Sequence, residues 1–141
     1  MKKTQIIFVK VPNNTAKADC LCSIIQKHFE QKQSILITVP NFEVADFVDQ
    51  LLWKRPEESF LPHVIAQSNS KAAVVITSKQ ENLNDASILF NLCVTASPMA
   101  DKFNLIYELL DETHPDKLKL SQERRQTYIA AGFEIIDDWR K

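Results

Sequence analysis

Four kinds of side chain in this 141-residue chain could do covalent or metal chemistry: cysteines, histidines, serines and paired carboxylates. Cys20-x-Cys22 has the beginning of a metal-ligand spacing, but no second pair follows, and on a helix the two side chains point to different faces. His28, His63 and His114 are dispersed, so Cys93 with His63 or His114 has residue type alone to suggest a thiol nucleophile with its base. Ser59 and Ser97 lie in no nucleophile-elbow sequence. Glu57-Glu58 and Asp137-Asp138 are adjacent pairs, whereas an acid and a base must converge across a cleft. Solvated surface charge accounts for both, and no metal site or catalytic set is expected.

The segment of residues 51–63, LLWKRPEESFLPH, offers recognition chemistry instead. It closes an apolar helix with Trp53, passes through Arg55 and Pro56, and reaches Phe60 and Pro62. Trp and Arg combine large contact area with a polar handle, and such residues dominate protein–protein binding once water is excluded. The alternative is that Trp53 is the last core residue of its helix. A second recognition surface is suggested near the C-terminus, where residues 117–125 hold four basic residues and one acidic one. Lys117, Ser121, Arg124 and Tyr128 recur at spacings of four, three and four, which places them on one helical face. Two cations beside an aromatic ring can receive an acidic peptide with a terminal carboxylate and a bulky side chain. Arg125 lies about 100° further round the helix and widens the patch. A plain solvated basic face is the competing reading.

These side chains need a scaffold, and its outline follows from hydrophobic periodicity. Residues 4–11 form a buried strand, and Asn14 or Thr15 caps a helix to about Gln31 with Leu21, Ile24, Ile25 and Phe29 facing inward. Residues 34–39 form a second strand. Asn41 then opens a helix carrying Val44, Phe47, Val48, Leu51 and Leu52 at helical spacing. Residues 60–66 read as extended, and the apolar runs 72–77 and 87–94 as strands covered on both faces, with a polar loop at 78–85. A short turn starts at Ser97-Pro98, and residues 104–110 make another strand. Thr113 and Pro115 open a last helix to Ala131, which Gly132 ends and against which Phe133 folds back. The alternation predicts one α/β domain spanning residues 1–141: three layers, with a central sheet that is mostly parallel, or mixed, and helices on both faces.

Composition narrows the function. With 45% hydrophobic and 25% charged residues the chain suits one soluble domain with its own core. No apolar run approaches the roughly 20 residues of a membrane span. The N-terminal MKKTQIIFVK lacks the h-region and cleavage site of a secretory signal, and three cysteines make no disulfide framework, so a cytoplasmic protein is expected. A net charge of −1 and a pI of about 6.3 give no footprint for direct DNA binding. Gly132 is the sole glycine, so the glycine-rich turns that cradle phosphates are missing, and no nucleotide cofactor is expected.

Residues 51–63, with the spacing Trp-x-Arg-Pro-x-x-Ser-Phe-x-Pro-His, together with YIAAGF at residues 128–133 and a Trp close to the end, resemble the chi subunit of the bacterial DNA polymerase III holoenzyme over the whole chain. The resemblance implies a Rossmann-like fold without nucleotide binding and a non-catalytic subunit of the clamp-loader assembly acting in DNA replication. It implies a heterodimer with the psi subunit and a grip on the acidic C-terminal tail of the single-stranded-DNA-binding protein (SSB). A repair helicase is implied as a competitor for the psi surface. Carried onto this chain, the psi or helicase contact falls on Trp53 and Phe60, framed by Arg55, Pro56 and Pro62. The tail site transfers less well, because family positions are occupied here by Leu118, Gln122, Arg125 and Gln126, of which only Arg125 keeps the charge. A shifted patch of Lys117, Lys119, Arg124, Arg125 and Tyr128 is the expected tail site, with weak binding or loss as the alternatives. Two other functions stand beside the adaptor: a small α/β enzyme using Cys93, His63 or His114, and a direct nucleic-acid binder using the last helix.

Overall fold

The computed structural model describes residues 4–54 and 61–138. β1 (Gln5–Val11), α1 (Asn14–Glu30), β2 (Ile35–Thr38) and α2 (Phe42–Lys54) make the first half of the chain. β3 (Val64–Ile65), β4 (Val74–Thr77), β5 (Ile88–Asn91), a 3-10 turn (Ala100–Lys102), β6 (Leu105–Asp111), α3 (Pro115–Ala130) and β7 (Glu134–Asp138) follow. The seven strands form one sheet in the order β3-β4-β2-β5-β6-β1-β7, and every pairing is parallel. Of the two sheets expected from sequence, the mixed one is therefore not the one formed. β2, β4 and β5 are buried at every position, because parallel crossovers cover both faces of the central strands.

Strand alternation divides the core in two. On one face Val11, Ile37, Ile76, Phe90 and Leu109 pack with Leu21 and Ile25 of α1 and Val48 and Leu52 of α2. On the other, Ile6, Phe8, Leu36, Leu89 and Ile106 pack with Tyr128 of α3 and with Met99 and Phe103 around the 3-10 turn. The three-layer α/β architecture expected from the sequence is the one observed.

Local details refine the elements. Asn13, one residue earlier than expected, caps α1, its side-chain oxygen accepting from the Ala16 amide at 2.8 Å. Asn41 caps α2 as expected, accepting from Val44 N at 2.9 Å. α3 is capped by His114 rather than Thr113, because the Thr113 hydroxyl is turned to Asp111 at 2.6 Å. Its C-terminus is a Schellman ending: Phe133 N donates to Tyr128 O at 3.1 Å and Gly132 N to Ile129 O at 3.0 Å. Gly132 has φ +89°, where an L side chain is strained, and the Phe133 ring packs edge-on to Tyr128 at 6.0 Å. β7 has no counterpart in the sequence reading.

Candidate protein-binding surfaces and the buried network behind them

Trp53 is 51% exposed, so its ring lies at the surface rather than in the core of α2. The core position of that helical turn is taken by Leu52, which is 1% exposed. His63 packs against Trp53 in a tilted contact, with ring centres 4.6 Å apart and planes at 50°. The side chain of His63 is itself wholly buried. Pro62 is exposed next to it. Of the other partner residues expected from sequence, Arg55, Pro56 and Phe60 lie outside the described residues. Phe42, at the start of α2, is also exposed.

The helical face carrying Lys117, Ser121, Arg124 and Tyr128 does not meet solvent as a stripe. Ser121 and Tyr128 are buried, at 0% and 1% exposure. Tyr128 Oη donates to Glu108 Oε2 at 2.6 Å and accepts from Ser97 N at 2.9 Å. Arg124 Nε donates to Glu108 Oε1 at 2.9 Å, and its other nitrogens reach the carbonyls of Val94 and Leu109. Asn91 Nδ2 gives Glu108 a further bond at 2.6 Å, and Asn91 is held in turn by Thr38 at 3.0 Å. Glu108 thus sits on β6 at zero exposure with three donors, as a buried carboxylate requires. Complete burial pushes its carboxyl upward, and Arg124, Tyr128 and Asn91 oppose that shift. Burial and the neighbouring Glu108 charge push the Tyr128 phenol well above its ordinary range. These contacts place Tyr128 in the core rather than on a peptide-binding surface, and turn Arg124 largely inward.

Lys117 and Lys119 are exposed, and Arg125 is partly exposed. Arg125 forms a two-point pair with Asp137 of β7, with Nε 3.0 Å from Oδ1. Ile129, four residues further along α3, is 42% exposed. Leu118, Gln122 and Gln126 lie on the outer side of the same helix, so the outward face mixes apolar, amide and cationic groups.

At the carboxyl ends of the strands, between α1 and α2, an open groove of about 810 Å³ is lined by Lys17, Phe47, Leu51, Val94, Lys117 and Arg124, among others. Domains of this architecture commonly hold ligands at that edge. Here Pro12 and Asn13 form the turn after β1, and Gly132 lies at the far end of α3. Lys17 is committed to Asp111 at 2.7 Å, and Asp111 also accepts from the Thr113 amide and hydroxyl. Burial pushes the Asp111 carboxyl up, but the bonds from Lys17 and Thr113 outweigh it and hold the group below the usual carboxylate range.

The thiol and imidazoles considered for catalysis do not share one environment. His63 is tied to α2, His114 caps α3, and Cys93 follows β5, where burial pushes its thiol up and so lowers its thiolate fraction. Among the described residues no group of three His, Cys, Asp or Glu side chains stands in metal-binding array, and no helix is long and apolar enough to cross a membrane.

Known proteins match this sequence. The family model for the DNA polymerase III chi subunit, HolC, matches residues 3–136. The DNA polymerase III subunit chi of Escherichia coli is 29% identical over 125 residues, covering 86% of this chain and 84% of that protein. The subunit of the same name from Pseudomonas aeruginosa is 22% identical over 136 residues, covering 95% of each chain. Relatives with this name are accessory rather than catalytic subunits of the polymerase. This chain belongs to the DNA polymerase III chi subunit family and is a replication accessory subunit.

Proposed function

We propose that this protein is an adaptor that joins the clamp-loader assembly, through psi, to the C-terminal tail of SSB. The observation that carries this reading is Trp53, a half-exposed indole resting on a buried imidazole in a chi-family chain. An exposed Trp is costly to leave in water and well suited to anchor a partner. Phe60, Arg55, Pro56 and Pro62 complete the psi surface, for which a repair helicase competes.

The SSB tail binds the outer face of α3. Lys117, Lys119 and Arg125 supply the cations and Ile129 an apolar neighbour, whereas Arg124 and Tyr128 support that helix from within. A protein that touches both the loader and the coated template raises the effective concentration of each near the other, so modest contacts sum to firm retention. Calorimetric titration with a peptide copying the host SSB C-terminus tests the tail arm. Binding that weakens with salt and with Arg125→Ala is expected; no binding by the wild-type chain removes the tail from the function.

A further inference from the structure

Three bulky apolar side chains of α2 are exposed: Phe42 at 65%, Phe47 at 59% and Trp53 at 51%. The inward face of the helix needs none of them, because Ala45, Val48 and Leu52 fill it. Phe42 and Trp53 are eleven residues apart, which is about three turns, or about 16 Å, along one side of the helix. Asp46 and Asp49 fall between them at spacings of four, three and four. Phe42, Asp46, Asp49 and Trp53 therefore form one stripe, with an aromatic at each end and two carboxylates between. Phe47 lies on a different side, about 140° round from Phe42, where it lines the groove towards α1.

The charges of the stripe are not consumed by the fold. An acid in the first turn complements the helix dipole, and Glu43 stands there; Asp46 lies beyond that turn, where the dipole's effect has faded. Asp46 is exposed and has no ion pair among the described residues, while the Asp49 carboxylate meets the His63 ring at 3.0 Å. Against Glu43, Asp46 and Asp49 the helix carries one cation, Lys54. A negative stripe with aromatic ends complements a segment that has apolar residues at its ends and Lys or Arg between. A helix packed alongside α2 presents side chains at the same repeat.

We propose that the partner covering Trp53 continues along α2 to Phe42 as an amphipathic helix, with apolar anchors for Phe42 and Trp53 and lysines or arginines against Asp46 and Asp49. This rests on the reading of Trp53 as the psi contact, to which it adds a second anchor and a charge requirement.

The test is the affinity of purified psi for the full chain and its single variants, by calorimetry at low salt and at about 1 M salt, where charges act over only about 3 Å. Phe42→Ala is expected to lower affinity about tenfold at both salt concentrations, the effect of losing an apolar anchor. Asp46→Lys is expected to lower it about tenfold or more at low salt and much less at high salt. Phe47→Ala removes a comparably exposed aromatic off the stripe and is expected to leave affinity within about twofold. Wild-type affinity in either Phe42→Ala or Asp46→Lys, with Trp53→Ala weakened, overturns the proposal and leaves the psi contact at Trp53 standing. A loss with Phe47→Ala as large as that with Phe42→Ala also overturns it, since the partner then covers exposed apolar surface without regard to the stripe. Wild-type affinity in Trp53→Ala as well takes psi off α2, so the reading of Trp53 fails first and the proposal with it. Sedimentation that shows the wild-type chain pairing with itself, and Phe42→Ala abolishing the pair without moving psi affinity, gives the stripe to a second copy and overturns the proposal.

Discussion

Tyr128 Oη lies 2.6 Å from Glu108 Oε2, and neither side chain reaches solvent. This bond, with that of Arg124 to the same carboxylate, anchors α3 to β6 and separates the helix into an inward polar face and an outward face of mixed groups. Residues that read as one stripe therefore point in different directions, Ser121 and Tyr128 inward and Lys117 to the surface.

Tyr128→Phe is expected to destabilise the domain by about 1–3 kcal/mol, because Glu108 loses a donor and the Ser97 amide loses its acceptor. Arg124→Ala is expected to cost more, about 3–5 kcal/mol, since it leaves a buried carboxylate without its counter-charge. Urea denaturation measures both. The still-folded Tyr128→Phe protein should bind the SSB tail peptide like wild type; a large loss of affinity without loss of stability would return Tyr128 to the binding surface.

Arg125 is already partnered by Asp137, so an acidic tail has to displace that carboxylate or share the guanidinium. Asp137→Asn should strengthen tail binding at low salt, with the gain shrinking as salt is added. Arg125→Ala should weaken it. Peptide titrations at two ionic strengths give the answer, and weaker binding by Asp137→Asn would place the tail elsewhere.

Asp111 makes stability depend on acid. Its carboxyl is held below the ordinary range in the fold, so the unfolded chain binds a proton first as pH falls. The Lys17 and Thr113 bonds accordingly contribute fully above the unfolded value of about 3.9. That contribution is lost as pH drops through the lower folded value. Asp111→Asn should be less stable than wild type at neutral pH, and the gap should narrow in acid. A gap that is constant with pH would show that the carboxylate charge is not what the fold uses.

The fold was legible wherever apolar residues carry the pattern. β1, α1, α2 and the buried central strands follow from periodicity alone, and Asn41 and Gly132 announce their helix ends by residue type. β7 escaped because Glu134, Asp137 and Asp138 dilute its apolar pair; an edge strand with a solvated side tolerates such charges. The inward face of α3 escaped for a related reason. Its docking uses Arg124 and Tyr128 against the carboxylate Glu108 and Ser121 against the Asp111 amide, and a search for apolar spacing takes such residues as surface. The exposure of Trp53 was one of two readings open in the sequence, and the neighbouring Leu52, buried in its place, decides between them.

The central claim is that the Trp53 surface couples this chi-family chain to the clamp loader. The direct measurement is affinity purification of the tagged chain from its own cells, wild type beside Trp53→Ala, with the clamp-loader subunits quantified. Copurification with wild type and a loss of roughly tenfold or more with Trp53→Ala, as expected for removal of a central Trp worth about 2 kcal/mol or more, is the predicted result. Clamp-loader subunits absent from the wild-type preparation, or retained equally by Trp53→Ala, would contradict it.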